Sequence, residues 1–135
     1  MRRPSAALLA LLLLLAGLGA GCGDGSEPLR VEIRIHYSHF EPVAFSVPHG
    51  VLVTLVLINE DPIDHEFLIG DEAFHERHRN GTEAQHGARP NEVSIAALTT
   101  VETTLVFDAP GTTVRYICHL PSHEAYGMVG TLTVT

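Results

Sequence analysis

The run Val51 to Ile58 is nearly continuous in apolar residues and rich in β-branched ones. Eight residues of that type read as a strand, and one apolar on both faces must be covered on both faces. The flanking segments match such a core. Leu29 to Tyr37 alternates, with Val31, Ile33 and Ile35 on one face, and Phe40 to Val47 is a second strand closed by Pro48-His49-Gly50. Asn59 to Asp64 is a polar turn containing Pro62, after which His65 to Ile69 resumes as a short strand. Later strands are expected over Val93 to Leu98, Val101 to Phe107, Thr113 to Cys118 and Met128 to Val134, with Asp108-Ala109-Pro110-Gly111 as a turn. Seven to eight short strands at these intervals predict an all-β sandwich over residues 29–135.

Residues 70–91 interrupt this pattern. They are polar and charged, without alternation. Asp71 to Arg79 fits a short helix, ended by Asn80-Gly81. His75 and His78 would share one face of it. With His86 they form a group read most simply as a solvated loop, the alternatives being a looser second metal site or a docking element. His36, His39 and His49 fall near strand ends and are expected to be exposed.

The first residues are of another kind. Arg2 and Arg3 precede an apolar run from Ala6 to Leu18, and small residues lead to Gly21-Cys22. That order is a secretory signal over residues 1–21, too short for a stable spanning helix. Gly19-Ala20-Gly21-Cys22 resembles a bacterial lipobox, with the usual Leu one place early at Leu18. Lipidation of Cys22 would tether the exported chain to a membrane of the cell envelope, with residues 22–28 as a flexible spacer. Removing residues 1–21 takes away two Arg and no acid, so the formal charge moves from −8 to −10. Such a surface argues against nucleic acid and anionic lipid, and suits a protein partner with a basic or apolar docking face.

Cys118 is then the only thiol left in the folded region. An exported lone thiol is buried, reactive or bound to metal. The segment Cys118-His119-Leu120-Pro121-Ser122-His123-Glu124-Ala125-Tyr126-Gly127-Met128 places a thiol, an imidazole and a thioether between the last two strands. One thiolate, imidazoles and a weak axial thioether suit copper cycling between two oxidation states. A second imidazole must come from elsewhere. His65 is the best candidate, because it follows a turn at one end of the sandwich, where loops gather. His119 is its competitor, although a residue next to Cys118 in extended chain points the opposite way.

These features resemble the cupredoxin (plastocyanin/azurin-like, blue copper) family. Phe107-Asp108-Ala109-Pro110-Gly111 followed by Tyr116-Ile117-Cys118 is similar to its Pro-Gly turn and Tyr-x-Cys strand. Cys118, His123 and Met128 match its ligand loop, and Gly127-Met128-Val129-Gly130 with Leu132 and Val134 its closing strand. Phe40-Glu41-Pro42, Val47, Gly50 and Asn59…His65-x-Phe67 resemble its first half. The resemblance implies a Greek-key sandwich, one type 1 copper on His65, Cys118, His123 and Met128, and single-electron transfer as a monomer. Copper delivery or buffering is the alternative, and an enzyme is not expected. Three departures stand out: Glu66 where members often have Asn, a longer 70–91 segment, and His119 after Cys118 as in the copper-oxidase branch. No His-x-His pair is present, so that branch's three-copper cluster cannot be built from this chain.

Overall fold

The structure, a computed structural model, describes residues 27–135. The expected signal segment, the Cys22 anchor and the first part of the spacer lie outside the described residues.

Among the described residues, nine strands form two sheets. In chain order they are β1 (Leu29–His36), β2 (His39–Glu41), β3 (Ala44–Val47), β4 (Leu52–Asn59), β5 (His65–Gly70), β6 (Glu92–Ile95), β7 (Thr100–Val106), β8 (Thr113–Ile117) and β9 (Val129–Val134). One helix, α1 (Glu72–Arg79), lies between β5 and β6. One sheet has the order β2-β1-β4-β7 and the other β3-β9-β8-β5-β6. β1 runs parallel to β4 and β3 parallel to β9, while the remaining neighbours are antiparallel. The stretch expected as one strand over 40–47 is thus two. β2 pairs with β1 in the first sheet and β3 with β9 in the second, with Pro42 and Val43 crossing between them.

The core follows the alternation. Ile33, Ile35, Val53, Leu55 and Leu57 from one sheet meet Phe67, Ile69, Tyr116, Leu132 and Val134 from the other. β4 is buried on its outer face as well, at Thr54 and Val56. Its neighbours explain this without a further layer. Arg30 on β1 reaches across β4 to Glu102 on β7 with two contacts of 2.6 and 3.2 Å, and Thr104 meets Thr54 at 3.2 Å.

Tyr116 is fully buried, and its hydroxyl donates to the Pro42 carbonyl at 2.6 Å. It fits because its register partner on β9 is Gly130. A Cβ at that position would lie 2.1 Å from the ring. Helix α1 is capped by Asp71, whose side chain accepts from the Phe74 amide at 2.8 Å. Phe74 and His75 are its buried residues. The solvated-loop reading of this segment therefore needs correction at His75, which has no exposure. Its Nε2 donates to the Arg115 carbonyl at 3.1 Å, seating α1 on β8.

Candidate metal centre

The polar turn between β4 and β5 aims His65 at the end of the sandwich. Asn59 organises that turn from within: its amide donates to the carbonyls of Ile63 (2.9 Å) and Ala96 (3.0 Å), and its oxygen accepts from the Asp61 amide (3.0 Å). Asp61 is consequently turned inward and buried. Its carboxylate accepts from His65 Nε2 at 2.9 Å and from the backbone amides of Tyr37 and Ser38, each at 2.7 Å. Burial disfavours the charge on Asp61, but the Ser38 and Tyr37 amides, and then His65, outweigh it and hold the carboxyl below its usual range.

That contact decides how His65 presents itself. A carboxylate accepts, so Nε2 carries the proton, and in the neutral ring Nδ1 keeps a free lone pair. His65 Nδ1 lies 3.2 Å from His123 Nδ1, which in turn lies 3.3 Å from Cys118 Sγ. The donor atoms of all three residues fall within 4.8 Å of one another. Metal–nitrogen bonds of about 2.0–2.1 Å in a trigonal plane would set donors roughly 3.5 Å apart, so the triad fits one ion with little adjustment.

Cys118 follows β8 and is fully buried. Its sulfur accepts the Glu66 amide at 3.3 Å. Burial pushes the thiol upward, partly offset by the amides of Glu66 and Leu120. A bound cation would replace that proton, since the thiolate is the ligand form. His123 is pulled below its ordinary value by burial and then by its neighbour His65, which keeps its ring neutral for coordination. Met128 is fully buried at the same end, just before β9. Its amide donates to the His123 carbonyl (3.0 Å), and its carbonyl accepts from the Cys118 amide (3.2 Å), so the loop closes on itself.

The structure therefore brings His65, Cys118 and His123 together and seats Met128 beside them in the loop. His119 is elsewhere. Its Nε2 is 2.9 Å from His75 Nδ1, and its ring stacks on His78 with centroids 5.8 Å apart. Burial is the main reason that it is held down at about 4. His36, His39 and His49 are exposed, as their place near strand ends suggests. Asp61 is the functional residue that the sequence reading passed over. The available signal was an acid four residues before a candidate ligand, whose remote N–H needs an acceptor.

A β-sandwich with a buried thiol and two imidazoles at one end defines a class of small metalloproteins. The model of the copper-binding proteins of the plastocyanin/azurin family matches residues 29–135, and the chain belongs to that family. The copper-resistant cuproprotein CopI of Pseudomonas aeruginosa is 28% identical over 136 residues, covering 77% of this chain and 75% of that protein. CopI of Rubrivivax gelatinosus is 32% identical over 119 residues, covering 83% and 70%. Among solved structures, auracyanin B superposes with a TM-score of 0.66 at 25% identity, over 82% of this chain and 91% of that one. The reduced auracyanin of Roseiflexus castenholzii shares the fold, with a TM-score of 0.66 at 22% identity over 82% and 99% of the two chains.

Proposed function

We propose that this protein carries single electrons on one type 1 copper held by His65, Cys118, His123 and Met128. The observation that carries the reading is the convergence of His65 Nδ1, His123 Nδ1 and Cys118 Sγ within 4.8 Å, in a chain of a copper-binding family. Copper bound there would supply a one-electron couple, and the weakly donating thioether of Met128 would favour its reduced form. The chain's own residues do the rest. Asp61 fixes the tautomer of His65, the Glu66 amide donates to the sulfur of Cys118, and burial keeps water from His65, Cys118 and Met128. Four donors leave no open position for substrate, which supports a carrier over an enzyme.

His123 is the partly exposed member of the triad and serves as the electron port. Leu120, Pro121, Ala125 and Tyr126 surround it in sequence, and Tyr126 is 73% exposed. This apolar patch is a docking face for a redox partner, with acidic side chains elsewhere steering a basic one. The chain is proposed to act as a monomer in the cell envelope, exported by its signal segment and anchored through Cys22. Detergent-phase partition that Cys22→Ser abolishes would support the anchor, and unchanged partition would refute it.

Absorption spectroscopy of the copper-loaded protein tests the main reading. An intense visible thiolate-to-copper band is expected, and it should vanish in Cys118→Ser. His123→Gly should regain the band with added imidazole; a band that survives Cys118→Ser refutes the assignment. The names of the two CopI relatives favour a second reading, copper delivery or buffering at the same donors. Repeated reduction and re-oxidation with metal retained supports the carrier, whereas ready loss of copper to a weak chelator supports delivery.

A further inference from the structure

A second group of donors lies beside the paired strands β5 and β6. His78 comes from α1, His86 from the loop after it, and Glu92 opens β6. One donor atom from each falls within 4.8 Å of the others. Both imidazoles turn the same nitrogen inward. His78 Nδ1 lies 3.0 Å from the Phe74 carbonyl and His86 Nδ1 lies 2.7 Å from the Gly87 carbonyl. A carbonyl only accepts, so each Nδ1 carries a proton, and Nε2 is the nitrogen that each ring can offer to a metal. Those two nitrogens face one oxygen: Glu92 Oε2 is 2.9 Å from His86 Nε2 and 3.5 Å from His78 Nε2. In the metal-free protein a proton on Nε2 links each ring to the carboxylate, and a metal ion would displace those protons and take their place between the three groups. Around a tetrahedral ion with bonds of about 2.0–2.1 Å, neighbouring donors are roughly 3.3 Å apart, a value that the two distances bracket.

The supports are those that a ligand triad needs. Backbone carbonyls fix both histidines, as outer partners of metal-bound imidazoles do. Glu92 is held through its other oxygen by Arg89 at 3.3 Å, and Arg89 is itself met by Glu83 at 3.1 Å. The triad borders an open cleft of about 300 Å³ lined also by Glu66, Leu68 and Ser94, which gives solvent access for an incoming ion and its remaining waters.

We infer that His78, His86 and Glu92 form a second metal site, for a divalent transition ion with nitrogen and oxygen ligands. Copper(II) binds such a set more tightly than zinc or nickel. The site lacks a thiolate and keeps open positions, so it is a binding site distinct in character from the buried centre. It is tied to that centre through α1, because His78 stacks on His119, the residue after Cys118.

The site does not depend on the electron-carrier reading, and the test separates the two. The purified protein, its buried centre first filled with copper, is titrated with copper(II) and followed by metal analysis and electron paramagnetic resonance. One further equivalent per chain is expected, with a copper(II) signal bearing nitrogen couplings, unlike that of a copper–thiolate centre, and no change in the visible band. His86→Ala and Glu92→Gln should each weaken that equivalent by about tenfold or more. His39→Ala should leave it intact. Cys118→Ser protein should still bind it, even if the buried centre takes no copper. Absence of a further equivalent, or one that His86→Ala and Glu92→Gln leave unchanged, overturns the assignment.

Discussion

Removing the carboxylate of Asp61 tests how far one buried acid supports both the fold and the metal centre. Its two oxygens accept three hydrogen bonds, from Tyr37, Ser38 and His65. The side chain is 7% exposed, so water screens little of this. Tyr37 and Ser38 form the two-residue turn between β1 and β2, both with positive φ, 50° and 56°. Neither is the Gly or Asn that such turns prefer, so the amide contacts to Asp61 offset local backbone strain. A hydrogen bond to a charged group contributes about 1.5–3 kcal/mol, and the lower end for each of three suggests that Asp61→Ala costs about 4.5 kcal/mol. For a domain near this size that is a fall in Tm of roughly 15–25 °C. His65 would also lose its orienting partner, and metal affinity should drop about 10–100-fold. Thermal unfolding of the metal-free protein by circular dichroism reads the first effect, and competition with a chromophoric chelator reads the second. Asp61→Asn keeps the shape and should lie between. A metal-free Tm within about 3 °C of the parent would refute the structural reasoning; an affinity within about twofold would refute the orienting role.

Gly130→Ala should destabilise by about 1–3 kcal/mol through overpacking against Tyr116, visible as a lower midpoint in urea; an unchanged midpoint would show that the ring yields freely. Phe74→Ala removes the buried anchor of α1 and should cost about 3 kcal/mol in thermal unfolding; the visible copper band depends on other elements and should persist, while the second copper equivalent is lost. Asp71→Ala deletes the cap of the same helix and should cost about 1 kcal/mol, measured by thermal unfolding. If acidic side chains steer a basic redox partner, the bimolecular rate of electron exchange should fall as salt rises towards 0.5 M, and a flat profile would leave docking to the apolar patch alone.

What was legible in the sequence was whatever is periodic or adjacent. The alternation at Val31, Ile33 and Ile35 marks the buried face of β1, and the unbroken apolar run marks the central β4. Cys118, His123 and Met128 share one loop, so spacing alone grouped them. His119 pointing away from Cys118 followed from extended-chain geometry. The crossing of the chain at Pro42 and Val43 was not legible, because a single apolar stretch can serve two sheets without any break in pattern. Nor was the depth of His75, since a charged helix gives no sign of which face lands on β8. Asp61 was missed because its partners, Tyr37 and Ser38, lie 24 and 23 residues upstream and meet it only after β1 and β4 have paired.

The parallel pairing of β3 with β9 has a consequence for biogenesis. The sheet that carries the Cys118 loop is completed only by the C-terminal strand, and three of the four proposed ligands lie in the last eighteen residues. His65, fixed in its turn by Asp61, therefore meets its proposed partners only once β9 has paired with β3 and β8. Capture of an ion at the proposed donors would follow the pairing of β8 with β9, and a chain clipped before Val129 would lack the strand that closes the loop however well its first sheet had formed.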